Sequence, residues 1–174
     1  REISEDRPRN TYVDVPEEAV DLALGKEVLL EVQMRDGGGK SFTVRMRGDV
    51  APIMAARILE LVDAGYYDGL SWHRVEHDFV IQGGSAGDNE YVGAPDFYRD
   101  ELGTVPHVRG TVGMSTRGHG TGDWQWFINL RDNRRLDGAY TVFAEVTAGI
   151  DVVYAILEGD RIERIGRVPT PRRE

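Results

Sequence analysis

The sequence contains no cysteine, so disulfide bonds and thiol chemistry are excluded, and the redox compartment is left open. No run of about eighteen apolar residues occurs, so the sequence predicts no membrane-spanning helix. Lysine is found only at Lys26 and Lys40, and the formal net charge is −9. This acidic balance argues against a general nucleic-acid-binding protein.

A chain of 174 residues is most simply one domain with a substantial core. We expect an N-terminal arm or linker over residues 1–26, a folded domain over 27–168 and a tail over 169–174. The first residue is arginine and no signal peptide is visible, which predicts a processed protein or a piece of a longer one. The compartment, cytoplasm or periplasm, is left open.

Short alternating segments dominate the middle of the chain. Residues 27–34 and 41–47 flank a glycine-rich loop and predict a β-hairpin. Asp49 is a candidate N-cap for a helix over residues 52–64. Further strands are predicted around 72–84, 111–115, 124–129, 140–146 and 160–168, with helices at 16–24 and 149–157. Many short strands with two sizeable helices favour an antiparallel barrel capped by helices.

The most informative segment runs from Ser71 to Gly84, with Arg74 between Trp72 and Phe79. A cation fixed beside an aromatic wall could bind a small apolar ring and polarise one of its atoms. Two further segments follow in order, at 113–129 and 136–143. Together with Gly65–Gly69, His107 and Gly149–Val153, they resemble the cyclophilin family of peptidyl-prolyl isomerases.

The resemblance covers residues 27–168 and implies a mainly β fold, a closed eight-stranded antiparallel β-barrel capped by two α-helices. It implies a peptidyl-prolyl cis-trans isomerase that rotates X-Pro bonds and assists protein folding, without a cofactor or metal. The partners would be proline-containing peptides or unfolded proteins, and we expect a monomer.

Carried over position by position, the resemblance implies Arg74, Phe79 and Gln82 as catalytic residues. The implied substrate-binding residues are Val80, Ser115, Thr116, Gln125, Phe127, Arg135, Leu136 and Tyr140.

Several of these positions depart from the family pattern. Val80 stands where methionine is usual, and Ser115–Thr116 replaces an alanine–asparagine pair. Arg135 replaces a tryptophan that is frequent in the family, and Tyr140 replaces a histidine. Arg135 should weaken binding of cyclosporin, a cyclic peptide that many members hold in this groove. Asp123–Trp124 should narrow or recharge the pocket for residues preceding the proline.

Other interpretations remain open from the residues alone. Arg74 could be a surface ion-pair residue. Phe79, Phe127 and Leu136 could be ordinary core residues, and Gln82 and Gln125 could be solvated strand residues. The domain could be a proline-peptide binding module or chaperone-like domain with little turnover, or a structural or carbohydrate-binding barrel.

Three other chemistries have weaker signals. His73 and His77 are four residues apart, a spacing that could bind zinc on a helix, although their segment is predicted to be strand and turn. Carboxylates for glycoside hydrolysis could come from Asp78, Asp96, Asp100 and Glu101. The glycine-rich loop at 118–122 follows no phosphate-binding pattern.

Overall fold

The computed structural model describes residues 15–93 and 97–169, so Asp96, most of the predicted arm and most of the tail lie outside the described residues. The helices are α1 (Glu17–Ala23), α2 (Pro52–Asp63) and α3 (Ile150–Ala155), with a 3-10 turn at Arg134–Leu136. The strands are β1 (Leu29–Met34), β2 (Ser41–Met46), β3 (Arg74–Val75), β4 (Val80–Gly83), β5 (Thr111–Met114), β6 (Trp126–Asn129), β7 (Val142–Ala148) and β8 (Ile162–Arg167).

The eight strands form one antiparallel sheet in the order β3-β4-β6-β5-β7-β2-β1-β8. The mainly β prediction is confirmed, but the prediction of a closed barrel is wrong, because no ladder joins the two edge strands. The sheet is a half-barrel. Its edges are joined by an isolated bridge between Ser71 and Arg161, by side-chain hydrogen bonds, and by flanking backbone bonds such as that from the Trp72 amide to the Asp160 carbonyl (2.9 Å).

Alternation along the strands sends one set of side chains into the core. Phe42, Ile81 and Ile128 are buried there, as expected for residues of one sheet face. Trp72 also lies in this core, with its ring 5.0 Å from that of Trp126. The indole is therefore not a wall beside Arg74, because Trp72 and Arg74 belong to different environments.

Three α-helices occur in the described residues, at the places where the sequence predicts helices over 16–24, 52–64 and 149–157. The first, α1, confirms the predicted helix at 16–24 and lies within the segment interpreted as an arm or linker. It packs against α2 and buries Ala19 and Leu22. Gly48, in the turn before α2, lets Leu22 come close to the backbone, because a Cβ there would lie 2.3 Å from the Leu22 Cβ.

Helix α2 is capped by a residue distant in sequence. The predicted cap, Asp49, instead forms an ion pair with Arg47 at 2.8 Å, and the residue at the N-cap position is Ala51. The carboxylate of Glu101 accepts hydrogen bonds from the backbone amides of Ile53 (3.1 Å) and Met54 (2.6 Å). Burial raises the pKa of Glu101, and these two amides oppose that rise.

Removing this distant cap should destabilise the protein. We expect Glu101→Ala to lower the free energy of unfolding by about 1 kcal/mol, because two amides at the start of α2 lose their acceptor. Glu101→Gln should lose less, because one amide oxygen remains. Urea denaturation of the three proteins measures this, and equal stability of Glu101→Ala and the unmodified protein would contradict the assignment.

Candidate active site

Four residues form a row across neighbouring strands. Arg74 pairs with Gln82, Gln82 with Phe127, and Phe127 with Gly113. Residues directly opposite each other in antiparallel strands share a face of the sheet. Because Ile81 and Ile128 point into the core, the row points to the outer face. The sequence alternation that fills the core therefore also builds the site.

Gly113 leaves room in this row for the ring of Phe127. A Cβ at Gly113 would lie 2.5 Å from the Phe127 Cζ atom. The Phe127 ring stacks on His107, with centroids 5.7 Å apart, and meets Tyr140 edge-on at 5.7 Å. Phe127 is thus held on several sides and is only 5% exposed.

Three members of the row, Arg74, Gln82 and Phe127, line a cleft of about 400 Å³. Nine of the eleven predicted site residues line it, namely Arg74, Phe79, Val80, Gln82, Ser115, Thr116, Phe127, Leu136 and Tyr140. Gln125 and Arg135 do not. Sequence reasoning did not assign Glu90, Tyr91 and Arg117 to the site, although they also line the cleft.

The polar side of the cleft is a chain of side-chain hydrogen bonds. Arg74 Nη1 donates to Gln82 Oε1 at 3.3 Å, and Gln82 Nε2 donates to Ser115 Oγ (3.1 Å) and Gln125 Oε1 (3.2 Å). Gln125 Nε2 in turn donates to the carbonyl oxygens of Glu90 and Val92, both at 3.3 Å. Both glutamines are buried, so they are not solvated strand residues.

Arg135 lines a second hollow, together with Asp78 and residues 131–134, and does not line the cleft. Its guanidinium lies 4.4 Å from the centroid of the Phe79 ring, within cation–π distance. Arg135 therefore contacts a residue of the cleft wall without lining the cleft itself.

A buried polar network connects the His107 ring, which stacks on Phe127, with the backbone of Phe79. Asn129 Nδ2 donates to His107 Nδ1 (3.1 Å), and Asn133 Nδ2 donates to Asn129 Oδ1 (2.8 Å) and to the Phe79 carbonyl (3.0 Å). His107 Nε2 is left to donate to the Tyr140 carbonyl at 3.0 Å. Burial lowers the pKa of His107, which favours this neutral form. Sequence reasoning missed Asn129 and Asn133, whose signal is a polar residue within an apolar strand or turn.

The Asp123–Trp124 pair divides between two environments. Asp123 lines the cleft, nearly buried, and forms an ion pair with Arg117 at 3.2 Å. Burial raises the pKa of Asp123, and the Arg117 charge opposes this. The Trp124 ring instead stacks against Tyr98 (6.0 Å) and meets Tyr66 edge-on (5.2 Å). Asp123 therefore brings a carboxylate, paired with Arg117, to the cleft, whereas Trp124 is not among the residues that line it.

The described histidines and carboxylates that were considered for metal binding or glycoside hydrolysis have other roles or no grouping with one another. Within the described residues, no three histidine or carboxylate side chains are grouped to hold a metal ion. Glu101 caps α2, and Asp100 accepts a hydrogen bond from the Gly120 amide at 2.9 Å. These carboxylates stabilise loops and a helix end.

Similarity to known proteins agrees with this geometry. The family described as cyclophilin type peptidyl-prolyl cis-trans isomerase/CLD matches residues 29–171. A peptidyl-prolyl cis-trans isomerase of Helicobacter pylori is 31% identical over 163 residues, covering 91% of this chain and 96% of that protein. A peptidyl-prolyl cis-trans isomerase of Arabidopsis thaliana is 33% identical over 151 residues, covering 83% and 82%.

The fold also matches a solved structure. A cyclophilin type peptidyl-prolyl cis-trans isomerase of Cryptosporidium parvum superimposes with a TM-score of 0.77 at 19% identity, covering 84% of this chain and all of that one. A second structure of that protein, crystallised in the presence of the dipeptide Ala-Pro, gives a TM-score of 0.74. With the family match and the relatives, these findings show that the chain belongs to the cyclophilin-type peptidyl-prolyl cis-trans isomerases.

Proposed function

We propose that Arg74 is the group that accelerates X-Pro rotation, with the prolyl ring held beside it in the cleft. Phe127 and Leu136 supply apolar surface for the ring, and Phe79 forms the adjoining wall. The observation that supports this most is the cross-strand row, in which Gln82 stands between Arg74 and the buried Phe127.

The chemistry requires little more than a positioned donor. An X-Pro bond resists rotation because of amide resonance, with a barrier of roughly 18–20 kcal/mol. In the twisted state the prolyl nitrogen becomes pyramidal and gains a lone pair. A donor aimed at that lone pair stabilises the twisted state more than either planar state, and so lowers the barrier. Arginine suits this role because it stays charged and its orientation can be fixed by an acceptor such as Gln82.

The remaining predicted residues divide by position. Val80, Ser115, Thr116 and Tyr140 line the cleft and would contact the peptide. Gln125 lies behind Gln82 and would act by orienting it. Arg135 would reach a peptide only beyond the Phe79 wall.

We propose residues 27–168 as the isomerase domain, acting as a monomer on proline-containing peptides or unfolded proteins. No cofactor is needed for this chemistry. Among the described residues, no helix is both long and apolar enough to cross a bilayer.

Peptide titration followed by two-dimensional NMR tests this location. An Ala-Pro-containing tetrapeptide should shift the amide signals of Gln82, Ser115 and Phe127, and the matched Ala-Ala peptide should not. Shifts centred on the hollow at residues 131–135, or equal shifts with both peptides, would contradict the proposed binding site.

Cyclosporin should inhibit this protein at least about ten-fold more weakly than a relative with tryptophan at the Arg135 position. Arg135 is charged and hydrated, and holding it against an apolar ligand would cost side-chain entropy. Arg135→Trp should recover part of the difference, whereas Arg134→Trp, in the same exposed turn, should not. An inhibitor titration in the isomerase assay measures this. Tight inhibition of the unmodified protein, or equal effects of both substitutions, would contradict it.

A further inference from the structure

Glu76 contacts the proposed catalytic arginine directly. Its Oε1 atom accepts a hydrogen bond from Arg74 Nε at 2.9 Å and a second, short one from Nη2. The two residues are two positions apart on an extended segment, so their side chains lie on the same side of the chain. The contact therefore follows from local geometry.

The backbone of Glu76 is fixed independently of its side chain. The Glu76 amide donates to the Val80 carbonyl (2.9 Å), and the Glu76 carbonyl accepts from the Phe79 amide (2.8 Å). These bonds close the turn between β3 and β4. The carboxylate thus starts from a rigid position, and the same turn sets the position of Phe79.

The donors of Arg74 divide into two groups. A guanidinium has five N–H donors, and Glu76 and Gln82 together occupy three of them. Glu76 holds the Nε–Nη2 edge, and Gln82 holds Nη1. Among the residues that the structure describes, one N–H on each terminal nitrogen has no acceptor and could bind a peptide in the cleft.

We propose that Glu76 is a positioning residue that fixes the rotation of the Arg74 guanidinium before substrate binds. This inference rests on the proposed role of Arg74. Both side chains are partly exposed, at 37% for Arg74 and 48% for Glu76, so the ion pair adds little to stability. Its effect is on orientation, which matters because a preorganised donor needs no rearrangement as the X-Pro bond twists.

Glu76→Ala should lower kcat about three- to ten-fold, the value of a partly exposed charged hydrogen bond, with KM and thermal stability little changed. Glu76→Gln keeps an acceptor oxygen and should recover part of that loss. Asp78→Ala removes a carboxylate from the same exposed turn, and Asp78 makes no ion pair within residues 15–93 and 97–169. It should leave kcat unchanged.

The decisive comparison places Glu76→Ala in an Arg74→Ala background. Because Glu76 acts through Arg74, the Glu76→Ala substitution should cause no further loss of kcat in the Arg74→Ala protein. The Arg74 Nε–H NMR signal gives a readout independent of turnover, and it should exchange faster with water in Glu76→Ala. Unchanged or faster turnover of Glu76→Ala, or an equal loss in both backgrounds, would overturn the inference. If Arg74→Ala itself kept full turnover, the proposed function would fail instead.

Discussion

Arg74→Ala is expected to lower kcat/KM for a proline-containing tetrapeptide by about 10²–10³-fold, the typical cost of losing one preorganised donor. The side chain lines the cleft and points away from the core, so the circular dichroism spectrum and melting temperature should stay near those of the unmodified protein. The loss should be mainly in kcat, because the donor acts most strongly on the twisted state.

Two further arginine variants separate position from charge. Arg74→Lys keeps the charge but loses the fork that bonds to both Glu76 and Gln82, so it should also be strongly impaired. Arg164→Ala removes an exposed arginine on β8, away from the cleft, and should retain full activity. Near-normal turnover of a folded Arg74→Ala protein would remove Arg74 from the mechanism.

Phe127→Ala is expected to reduce both stability and peptide affinity. Truncating an enclosed phenylalanine to alanine costs roughly 3–5 kcal/mol in the free energy of unfolding. Phe127 is buried but faces the cleft rather than the main core, so water can enter the vacated space. We therefore expect about 3 kcal/mol, the lower end of this range.

Phe143 provides the matched control, because it is equally buried but belongs to the main core. Phe143→Leu and Phe127→Leu should both destabilise the protein modestly, but only Phe127→Leu should weaken peptide binding. Thermal melts and peptide titrations measure the two effects. If Phe127→Ala altered neither stability nor affinity, Phe127 would be neither a packed residue nor part of the pocket.

The sequence was sufficient to predict where the strands lie and which residues form most of the cleft. Period-two alternation places Ile81 and Gln82 on opposite faces of β4, and the resemblance supplied the matching positions on the other strands. Nine predicted residues accordingly lie on one cleft. Their roles stay predictions until the variants are measured.

What the sequence could not show were contacts between distant segments. Asp49 satisfied the local rule for a helix cap, but Glu101, 47 or 48 positions beyond the amides it caps, occupies that role. Trp72 and Trp124 looked like pocket residues because they neighbour Arg74 and the glycine-rich loop. Their rings turn to other aromatic partners, and only strand pairing and backbone direction determine that.

The sequence pattern also could not show that the sheet stays open rather than closing into a barrel. Alternation predicts strands but not whether the first and last edges pair. Here the contact between the two edges is the isolated bridge from Ser71 to Arg161, which does not continue into a ladder between β3 and β8.

The most direct test of the central claim is the rate of cis-to-trans conversion of an X-Pro tetrapeptide, measured in a protease-coupled assay with the purified protein. Uncatalysed conversion takes tens to hundreds of seconds. We expect the rate to rise in proportion to protein concentration, and this dependence to be nearly lost with Arg74→Ala. Peptide binding without any rise in rate would show a proline-binding module and contradict the account.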